Sequence, residues 1–468
     1  MQPADLHYRS LLEIADRIRR QDVTSETVTE LLLERIEQHE GRLHSIALLM
    51  ADSALEQARR ADREIAAGLY RGRLHGVPVG IKDLLWTEGL PTAAGMDVLR
   101  DFRPNEDATV VARLKQAGAV IIAKLQMTEA ATLNHHPSVS RPVNPWDAAR
   151  WTGVSSSGSG VATAAGFCFG SIGSDTGGSI RMPSSANNLT GIKPTWGRVS
   201  RHGLIHLSES FDHLGPMARS ATDAAAVLQV IAGLDPSDPT TLHDPLPEYL
   251  AVMDGRLCEL VIGIDWEFAT GGLPSPVVDS LRAALSVFEE LGAHVREIRF
   301  PWTPSDAMSM VPIFESEIAL AHADYFPAQA DQYGPWLRKT LTRASAGRDR
   351  LELARAHIER ERYRGRLRTM FREVDVMLVP ALGQVLPTWE QIDDWAADEI
   401  PFDPDLIRFT TPFNVSGTPT LTLPGGFTPE GLPIGLQLAA PWLGEPTLLR
   451  AGAAFQEVTT HHTRHPAL

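Results

Sequence analysis

The sequence predicts an α/β fold, because segments with helical periodicity alternate with short buried strands along much of the chain. A helix over 110–117 leads into an apolar strand over 119–127, and a strand, a helix and a second strand follow one another over 259–300. The length of 468 residues allows a large core, either in one big unit or in two lobes. Apolar residues make up 43% of the chain and charged residues 22%, which is typical of globular proteins.

The charge balance and the cysteine content indicate which binding partners and which cellular compartment to expect. A net charge of −15 argues against a nucleic-acid surface or an anionic membrane surface. The sequence has no run of about eighteen apolar residues, and its amphipathic N-terminus lacks the pattern of a secretory signal. Cys168 and Cys258 lie in apolar runs, which predicts two reduced thiols in the core. We therefore expect a cytoplasmic protein with neither a nucleic-acid nor a membrane partner.

The first elements are helices, followed by one buried strand. Over 1–66, apolar residues such as Leu11, Ile14 and Ile18 recur at helical spacings, which predicts an N-terminal helical layer. Alternating apolar residues over 77–81 predict a short buried strand that ends at Lys82. A lysine in this place is ordinarily a surface charge, although a desolvated lysine loses its proton more easily and can act as a general base.

Serines cluster at both ends of the stretch from Gly153 to Arg181, and glycines flank each cluster. The small apolar residues over 161–170 predict a buried helix between the clusters. Glycine-rich turns let backbone N–H groups converge on one point, because no Cβ blocks the approach. A hydroxyl in such a turn can act as a nucleophile beside an oxyanion hole. The stretch therefore predicts the active site of a serine-dependent acyl-transfer enzyme.

The second half of the chain predicts further regular elements around two less regular regions. The regular elements are helices over 223–233 and 445–460, a strand over 375–382, and two strands joined by a turn over 409–440. Residues 301–373 are predicted to be mainly helical and irregular, and residues 383–408 are predicted to form a loop with several aromatic side chains.

Three segments stand out: GIKD with Lys82, the serine cluster 155–157, and DTGGSIR with Ser179 and Arg181. These segments lie within the longer motifs GVPVGIKDLL, SSSGSGVATAAG and GSDTGGSIRMPSSANNLTGIKPTWGRVSRHGL, which are joined by DHLGPMARS and GLPIGLQLAAP. Together the motifs resemble the amidase signature family over most of the chain. The resemblance implies a large mixed β-sheet covered by helices on both faces. It also implies a single amidase domain over 1–468, made of the helical layer 1–66, an α/β core over 67–300 and 375–468, and a variable, mainly helical substrate-side region over 301–374.

The family uses a triad of a nucleophilic serine, a serine that follows a cis peptide bond, and a lysine. Matched by position, Ser179 resembles the nucleophile, Ser155 the bridging serine and Lys82 the base. Such a triad is chemically consistent, because serine needs a base within hydrogen-bond reach and lysine is a base only when burial keeps it neutral. The second serine can pass the proton on and later return it to the leaving amine.

The resemblance also assigns an oxyanion hole and its supports. The hole is implied to consist of the backbone N–H groups of Thr176, Gly177, Gly178 and Ser179. Asp175 and Arg181 are expected to brace this turn. Val154 stands where the family usually has glycine before the bridging serine, and Ser156 or Ser157 remains an alternative for that role.

The implied activity is hydrolysis of a carboxylic amide through an acyl-enzyme, with neither a metal nor an organic cofactor. The loop histidines His135 and His136 have no second ligand group at a matching spacing, so we expect no metal site there. The tail histidines His461, His462 and His465 could hold a metal, but we expect them to lie in a solvated terminus. An alternative function is the glutamine-hydrolysing component of a tRNA-dependent amidotransferase, which shares the fold and the triad. A phosphate-binding loop is disfavoured because the GK[ST] ending is missing, and an inactive scaffold because all three triad residue types are present.

The substrate is a small-molecule amide whose class the sequence leaves open. Trp86 and the aromatic residues of 301–408 either line an apolar pocket or belong to the core. A pocket of this kind would favour an aryl or bulky acyl amide, an anilide, an ester or a carbamate. The sequence is compatible with a homodimer.

Overall fold

The computed structural model describes residues 3–253, 255–347, 349–397 and 404–468. Within these ranges the strands are β1 Ile46–Leu49, β2 Pro78–Lys82, β3 Val120–Leu125, β4 Gly170–Asp175, β5 Thr190–Lys193, β6 His213–Ala218, β7 Val261–Ile264, β8 His294–Glu297, β9 Val376–Pro380, β10 Thr420–Phe427 and β11 Pro433–Ala439. The α-helices are α1 Leu11–Arg19, α2 Ser25–Leu43, α3 Ala51–Ala66, α4 Thr109–Gln116, α5 Ser157–Ala164, α6 Arg181–Ala186, α7 Ala221–Ile231, α8 Trp266–Thr270, α9 Ser275–Glu290, α10 Pro304–Ala321, α11 Pro335–Ser345, α12 Arg350–Met370, α13 Trp389–Ala397, α14 Thr411–Ser416 and α15 Glu445–Val458. The 3₁₀ helices are Pro3–Tyr8, Glu129–Ala131, Tyr249–Val252, Ala330–Gln332, Pro404–Leu406 and His461–Thr463.

The strands form a mixed sheet of eleven strands in the order β1-β3-β2-β4-β6-β5-β10-β11-β9-β7-β8. β2 is parallel to β3 and β4, and β7 is parallel to β8 and β9. The other neighbours are antiparallel, including the hairpin β10–β11. Helices cover both faces of the sheet, so every residue of β2 to β6 is buried. The predicted α/β fold with a large mixed sheet is confirmed.

The parallel pairing of β2 with β4 places the end of β2, with Lys82, beside the end of β4. Gly80 pairs with Ser171 and Ile81 with Ile172. Lys82, the last residue of β2, therefore comes level with the C-terminal half of β4. Both strands end at the same edge of the sheet, where polar side chains that follow them can meet.

The predicted strand–helix–strand unit over 259–300 is confirmed by β7, α9 and the parallel strand β8. The predicted helix over 161–170 is wrong in its second half. α5 already begins at Ser157 and ends at Ala164, because Gly166 adopts a left-handed φ of 73° and stops the helix. The chain then enters β4 at Gly170, where it pairs with β2 and β6.

Three further short elements differ from the prediction. The four-residue strand β1 lies within the predicted helical layer, where its pattern is too short to stand out. Helix α13 lies in the predicted loop 383–408, because Ile392 and Trp395 bury one of its faces; residues 398–403 of that range lie outside the described residues. Helix α14 replaces the start of the strand predicted from 409, and Gly417 ends it with a φ of 74°.

Two sequence-based expectations concern single residues and membrane segments. Cys168 is buried as predicted, but Cys258 is exposed, so the expectation of a second core thiol is wrong. None of the described helices combines the length and the hydropathy that crossing a lipid bilayer requires.

Candidate active site

Lys82 is fully buried at the end of β2, and hydroxyl groups surround its amine. Lys82 Nζ lies 2.6 Å from Ser155 Oγ, 3.0 Å from Ser156 Oγ and 2.9 Å from Ser174 Oγ. Burial lowers the pKa of Lys82 well below its ordinary value, and the carboxylates of Asp175 and Asp212 offset this only in part. A neutral amine can donate two of these hydrogen bonds and accept the third. The geometry therefore suits a lysine that takes up a proton from a hydroxyl.

The serine cluster presents its three hydroxyls to different partners. The peptide bond between Val154 and Ser155 is cis, as the resemblance implies for the bridging serine. Ser156 contacts Lys82, and its Oγ also donates to the carbonyl oxygen of Ser174 at 3.2 Å. The Ser157 hydroxyl instead lies 2.9 Å from His135 Nε2. Of the three serines, Ser155 makes the shortest contact to the amine.

Glycines allow the serine cluster to lie directly against the segment that carries Ser179. A Cβ on Gly153 would lie 2.5 Å from the backbone nitrogen of Pro183 in α6, and Gly153 has a φ of 76°. A Cβ on Gly173 would lie 2.9 Å from Ser156 Oγ. Both contacts are too close for any side chain, so the two segments meet only because these positions are glycine.

A buried ion pair holds the turn between β4 and α6. Arg181 and Asp175 are fully buried, and Arg181 Nη2 donates to Asp175 Oδ1 at 2.8 Å. The same carboxylate accepts the N–H groups of Gly178 at 2.9 Å and of Ile180 at 3.0 Å. Burial opposes ionisation of Asp175, but the Arg181 guanidinium outweighs it and holds the pKa of the carboxyl below its usual range. The ion pair thus spans the turn, and its carboxylate binds two of the turn's backbone donors; the bracing role of Asp175 and Arg181 stays a prediction.

The turn leaves most of its backbone donors free. Among the described residues, the N–H groups of Thr176, Gly177 and Ser179 donate to no acceptor. The Gly178 N–H was predicted to be available as well, but it already donates a hydrogen bond to Asp175 Oδ1. The turn can therefore offer three unpaired donors to an anion, but not four.

Ser179 closes the turn just before α6, and 8% of its surface is exposed. Its hydroxyl forms no hydrogen bond to any residue in the described part of the chain, so it is not joined to Ser155 in this structure. Lys82 and Ser155 are in direct contact, whereas Ser179 is near them only through the packing of its segment against the serine cluster. Contacts of this kind commonly tighten only when substrate is bound.

Several supporting residues were not predicted from the sequence. Ser174 stands in the GSDTGGS motif, and the pairing of β2 with β4 is the signal that would have placed it near Lys82. Thr176 Oγ1 donates to Asp212 Oδ1 at 2.6 Å. Asn414 in α14 donates to Asp175 Oδ1 at 2.8 Å. The distant residue Asn414 has no local sequence signal, because only the tertiary packing of α14 brings it to the turn.

An apolar cluster borders the serines on the side of α13. Val154 and Met182 belong to it, and Met182 Cε lies 2.4 Å from where a Cβ of Gly178 would be. Its other buried members are Trp151, Ala186, Leu382, Leu386, Ile392, Trp395 and Leu406, with Leu133, Trp389 and Ile407 partly buried at its margin. Trp86, which the sequence left open as either a pocket or a core residue, packs elsewhere, against Phe102 and His202.

The histidines form no metal-binding arrangement in the part of the chain that the structure describes. No group of three or more His, Cys, Asp or Glu residues within the described ranges could hold a metal ion. His135 is buried beside Trp389, with ring centroids 5.9 Å apart, and burial lowers its pKa to about 3.

Comparison with known proteins shows which family the chain belongs to. The family model described as Amidase matches residues 27–449. The candidate amidase AmiD of Mycobacterium tuberculosis is 48% identical over 457 residues, which cover 97% of this chain and 95% of that protein. The glutamyl-tRNA(Gln) amidotransferase of a Roseiflexus species has an A subunit that is 38% identical over 488 residues, which cover 99% of each chain.

Solved structures share the fold over nearly the whole chain. The peptide amidase of Stenotrophomonas maltophilia superposes with a TM-score of 0.83 at 29% identity and covers 98% of each chain. A crystal structure described as an amidase gives a TM-score of 0.84 at 30% identity, over 96% of this chain and 99% of the other. Family model, relatives and fold agree with one another: the chain belongs to the amidase signature family and is an enzyme that hydrolyses amide C–N bonds.

Proposed function

We propose that the enzyme cleaves a carboxylic amide through an acyl-enzyme on Ser179, with Ser155 and Lys82 as the proton relay. One observation carries this proposal. The Lys82 amine is fully buried, its pKa is lowered by that burial, and it lies 2.6 Å from the hydroxyl of Ser155. A buried neutral amine against a hydroxyl is the arrangement that a serine-based relay needs.

The proposed reaction moves one proton in and out along the relay. Lys82 takes the proton of Ser155, and Ser155 takes the proton of Ser179 as Ser179 Oγ bonds to the amide carbon. The carbonyl oxygen becomes an oxyanion, which the free N–H groups of the turn stabilise by about 3–4 kcal/mol per donor. Ser155 then protonates the amide nitrogen while Lys82 restores its proton, the C–N bond breaks and the amine leaves. Water attacks the acyl-enzyme by the same relay and releases the acid.

We propose an apolar, bulky acyl group as the preferred substrate portion. The support is the apolar cluster beside the serines, in which Val154 precedes Ser155 and Met182 packs on the turn of Ser179. Its members are apolar by residue type, and charged groups lie at its margin, where Arg141 stands over the Trp389 ring at 5.2 Å and pairs with Asp393 at 2.8 Å. Aryl amides, anilides, esters and carbamates with apolar acyl groups would gain from burial against such a surface.

Glutamine hydrolysis within a tRNA-dependent amidotransferase is the second candidate, because the 38% identity to the Roseiflexus protein covers 99% of each chain. Free glutamine carries an ammonium and a carboxylate, which both need polar partners once they leave water. The apolar members of the cluster cannot be those partners, so glutamine would depend on polar groups at the margin, such as Arg141 and Asp393. We therefore place this function second.

The nucleophile is tested with Ser179→Ala and with Ser157→Ala as a matched control. We expect Ser179→Ala to lose turnover by about 10⁶-fold, as other serine nucleophiles do, and to form no acyl-enzyme detectable by mass spectrometry. Ser157→Ala should keep the acyl-enzyme, because Ser157 faces His135 instead of Lys82. Turnover by Ser179→Ala near the wild-type rate would refute the assignment.

The substrate class is tested with a panel of amides, anilides, esters and carbamates, in pairs that differ only in an apolar or a charged acyl group. We expect higher kcat/KM for each apolar member and little activity with free glutamine. A preference for glutamine, together with co-purification of further subunits, would favour the amidotransferase function instead.

A further inference from the structure

The peptide group between Gly177 and Gly178 is held at both of its ends. Its N–H donates to Asp175 Oδ1 at 2.9 Å, and its C=O accepts the hydroxyl of Thr410 at 2.6 Å. The carbonyl oxygen of Ile407, at 3.2 Å from Thr410 Oγ1, is the more distant acceptor. A trans peptide group is planar, with its N–H and C=O pointing to opposite sides. Two hydrogen bonds at opposite ends therefore fix the rotation of the whole plane.

This peptide is the one in the turn that most needs such support. Glycine lacks a Cβ, so a Gly–Gly peptide can tilt with little steric resistance. Gly178 has a φ of 133°, a conformation that residues other than glycine rarely adopt. The neighbouring peptide planes share its two α-carbons and carry the free N–H groups of Gly177 and Ser179. A tilt of the central plane consequently moves both donors.

Thr410 is itself rigidly placed. It is fully buried immediately before α14, and its carbonyl oxygen accepts Arg181 Nη1 at 2.8 Å. Its hydroxyl oxygen would lie 2.8 Å from a Cβ on Gly178, so it packs directly on the turn. One turn further along α14, Asn414 donates to Asp175. Both hydrogen bonds that fix the Gly177–Gly178 peptide thus belong to one buried network around Arg181.

We propose that Thr410 is a positioning residue for the oxyanion turn. Its hydroxyl holds the Gly177–Gly178 peptide so that the N–H groups of Gly177 and Ser179 stay aimed at the oxyanion. The inference rests on the proposed function, since it takes this turn as the oxyanion site. The oxyanion exists only after attack, so the hydroxyl of Thr410 acts on the transition state and not on substrate binding.

The test compares Thr410→Val, which keeps the shape and loses the hydroxyl, with Thr410→Ser, which keeps the hydroxyl. We expect kcat of Thr410→Val to fall by about 10- to 100-fold, in line with the loss of an oriented oxyanion donor, while KM changes by less than about 3-fold. Thr410→Ser should recover kcat to within about 3-fold of wild type. The pH dependence of kcat should keep its midpoint, because the Lys82 relay is untouched.

Thr411→Val on the same helix is the matched control and should keep wild-type kcat and thermal stability. Wild-type kcat in Thr410→Val, or failure of Thr410→Ser to recover kcat, would overturn the proposal. If Thr410→Val does not fold, Thr410→Ala gives the same comparison. The Ser179→Ala result separates the two hypotheses: activity in Ser179→Ala refutes the proposed function, whereas an inactive Ser179→Ala with a fully active Thr410→Val refutes only the positioning role.

Discussion

Replacing Lys82 by methionine separates the catalytic use of a buried amine from its effect on stability. Methionine has a similar length but neither donates nor accepts a proton. A positioned general base contributes about 10²–10⁴-fold to rate, so we expect kcat/KM to fall by at least that factor. Lys115→Met is the control: this lysine in α4 is partly exposed and pairs with Asp107 at 2.6 Å, and its replacement should leave the activity unchanged.

The effect of this substitution on the free energy of unfolding depends on pH, and the burial of Lys82 determines whether the effect grows or shrinks as the pH rises. The folded-state pKa of Lys82 lies well below its ordinary value of 10.5. Between these two values the unfolded chain binds one proton more than the folded chain, so the free energy of unfolding rises by about 1.4 kcal/mol for each pH unit. Lys82→Met loses this dependence. Its free energy of unfolding relative to wild type should therefore fall by about 1.4 kcal/mol per unit as the pH rises through this window.

Two other contributions leave this slope unchanged. The hydroxyls of Ser155, Ser156 and Ser174 lose a partner, at about 1 kcal/mol per hydrogen bond, but this offset does not vary with pH. Lys193 is also fully buried with a lowered pKa, and it is present in both proteins, so its contribution cancels in the difference.

The assay is urea denaturation of wild type and Lys82→Met at about pH 7, pH 8 and pH 9, alongside kcat/KM at each pH. Wild-type activity should rise with pH as Lys82 loses its proton, because only the neutral amine is a base. A stability difference that does not change with pH would show that Lys82 is not a buried neutral amine. Activity of Lys82→Met within about 10-fold of wild type would refute its role as the base.

Two further predictions concern the turn. Asp175→Asn should lower the free energy of unfolding by about 3–5 kcal/mol at neutral pH, because it leaves the buried Arg181 without its ion-pair partner. The pKa of Asp175 is held below its ordinary 3.8, so the stability difference, measured by urea denaturation, should shrink only as the pH falls below that value. A stability difference that stays the same in acid would contradict this prediction. Gly178→Ala should lose activity and melt earlier, since Gly178 has a φ of 133° and its Cβ would lie 2.9 Å from Thr410 Cβ, whereas Gly177→Ala, with nothing within 4 Å of its Cβ, should keep the wild-type melting temperature.

The sequence indicated candidate site residues where local backbone chemistry encodes their position. Lys82, Ser155 and Ser179 stand in short motifs whose glycines are needed where two backbones touch or where a turn presents N–H groups. The Asp175–Arg181 pair spans one such turn, so its bracing contacts are local. The alternation of helices and strands likewise depends on neighbours along the chain, and it predicted the α/β class correctly.

What the sequence missed depends on packing between distant segments. The end of α5 and the start of β4 were not separated, because strand pairing with β2 and β6 competes there with an apolar pattern that also suits a helix. The third hydroxyl at Lys82, from Ser174, follows from the register between β2 and β4. The Gly178 N–H was expected to be free, and only the folded turn shows that Asp175 occupies it.

The sequence by itself thus indicated which residue types and which turns form the candidate site, because the geometry of glycine, serine and lysine there is local. Tertiary structure decided how those turns are held. Thr410 and Asn414 reach the turn from a helix that follows more than two hundred residues later, and Arg181 joins them to Asp175. Contacts of this kind arise when helix α14 packs against the end of the sheet, and no pattern of neighbouring residues encodes where that packing places a side chain.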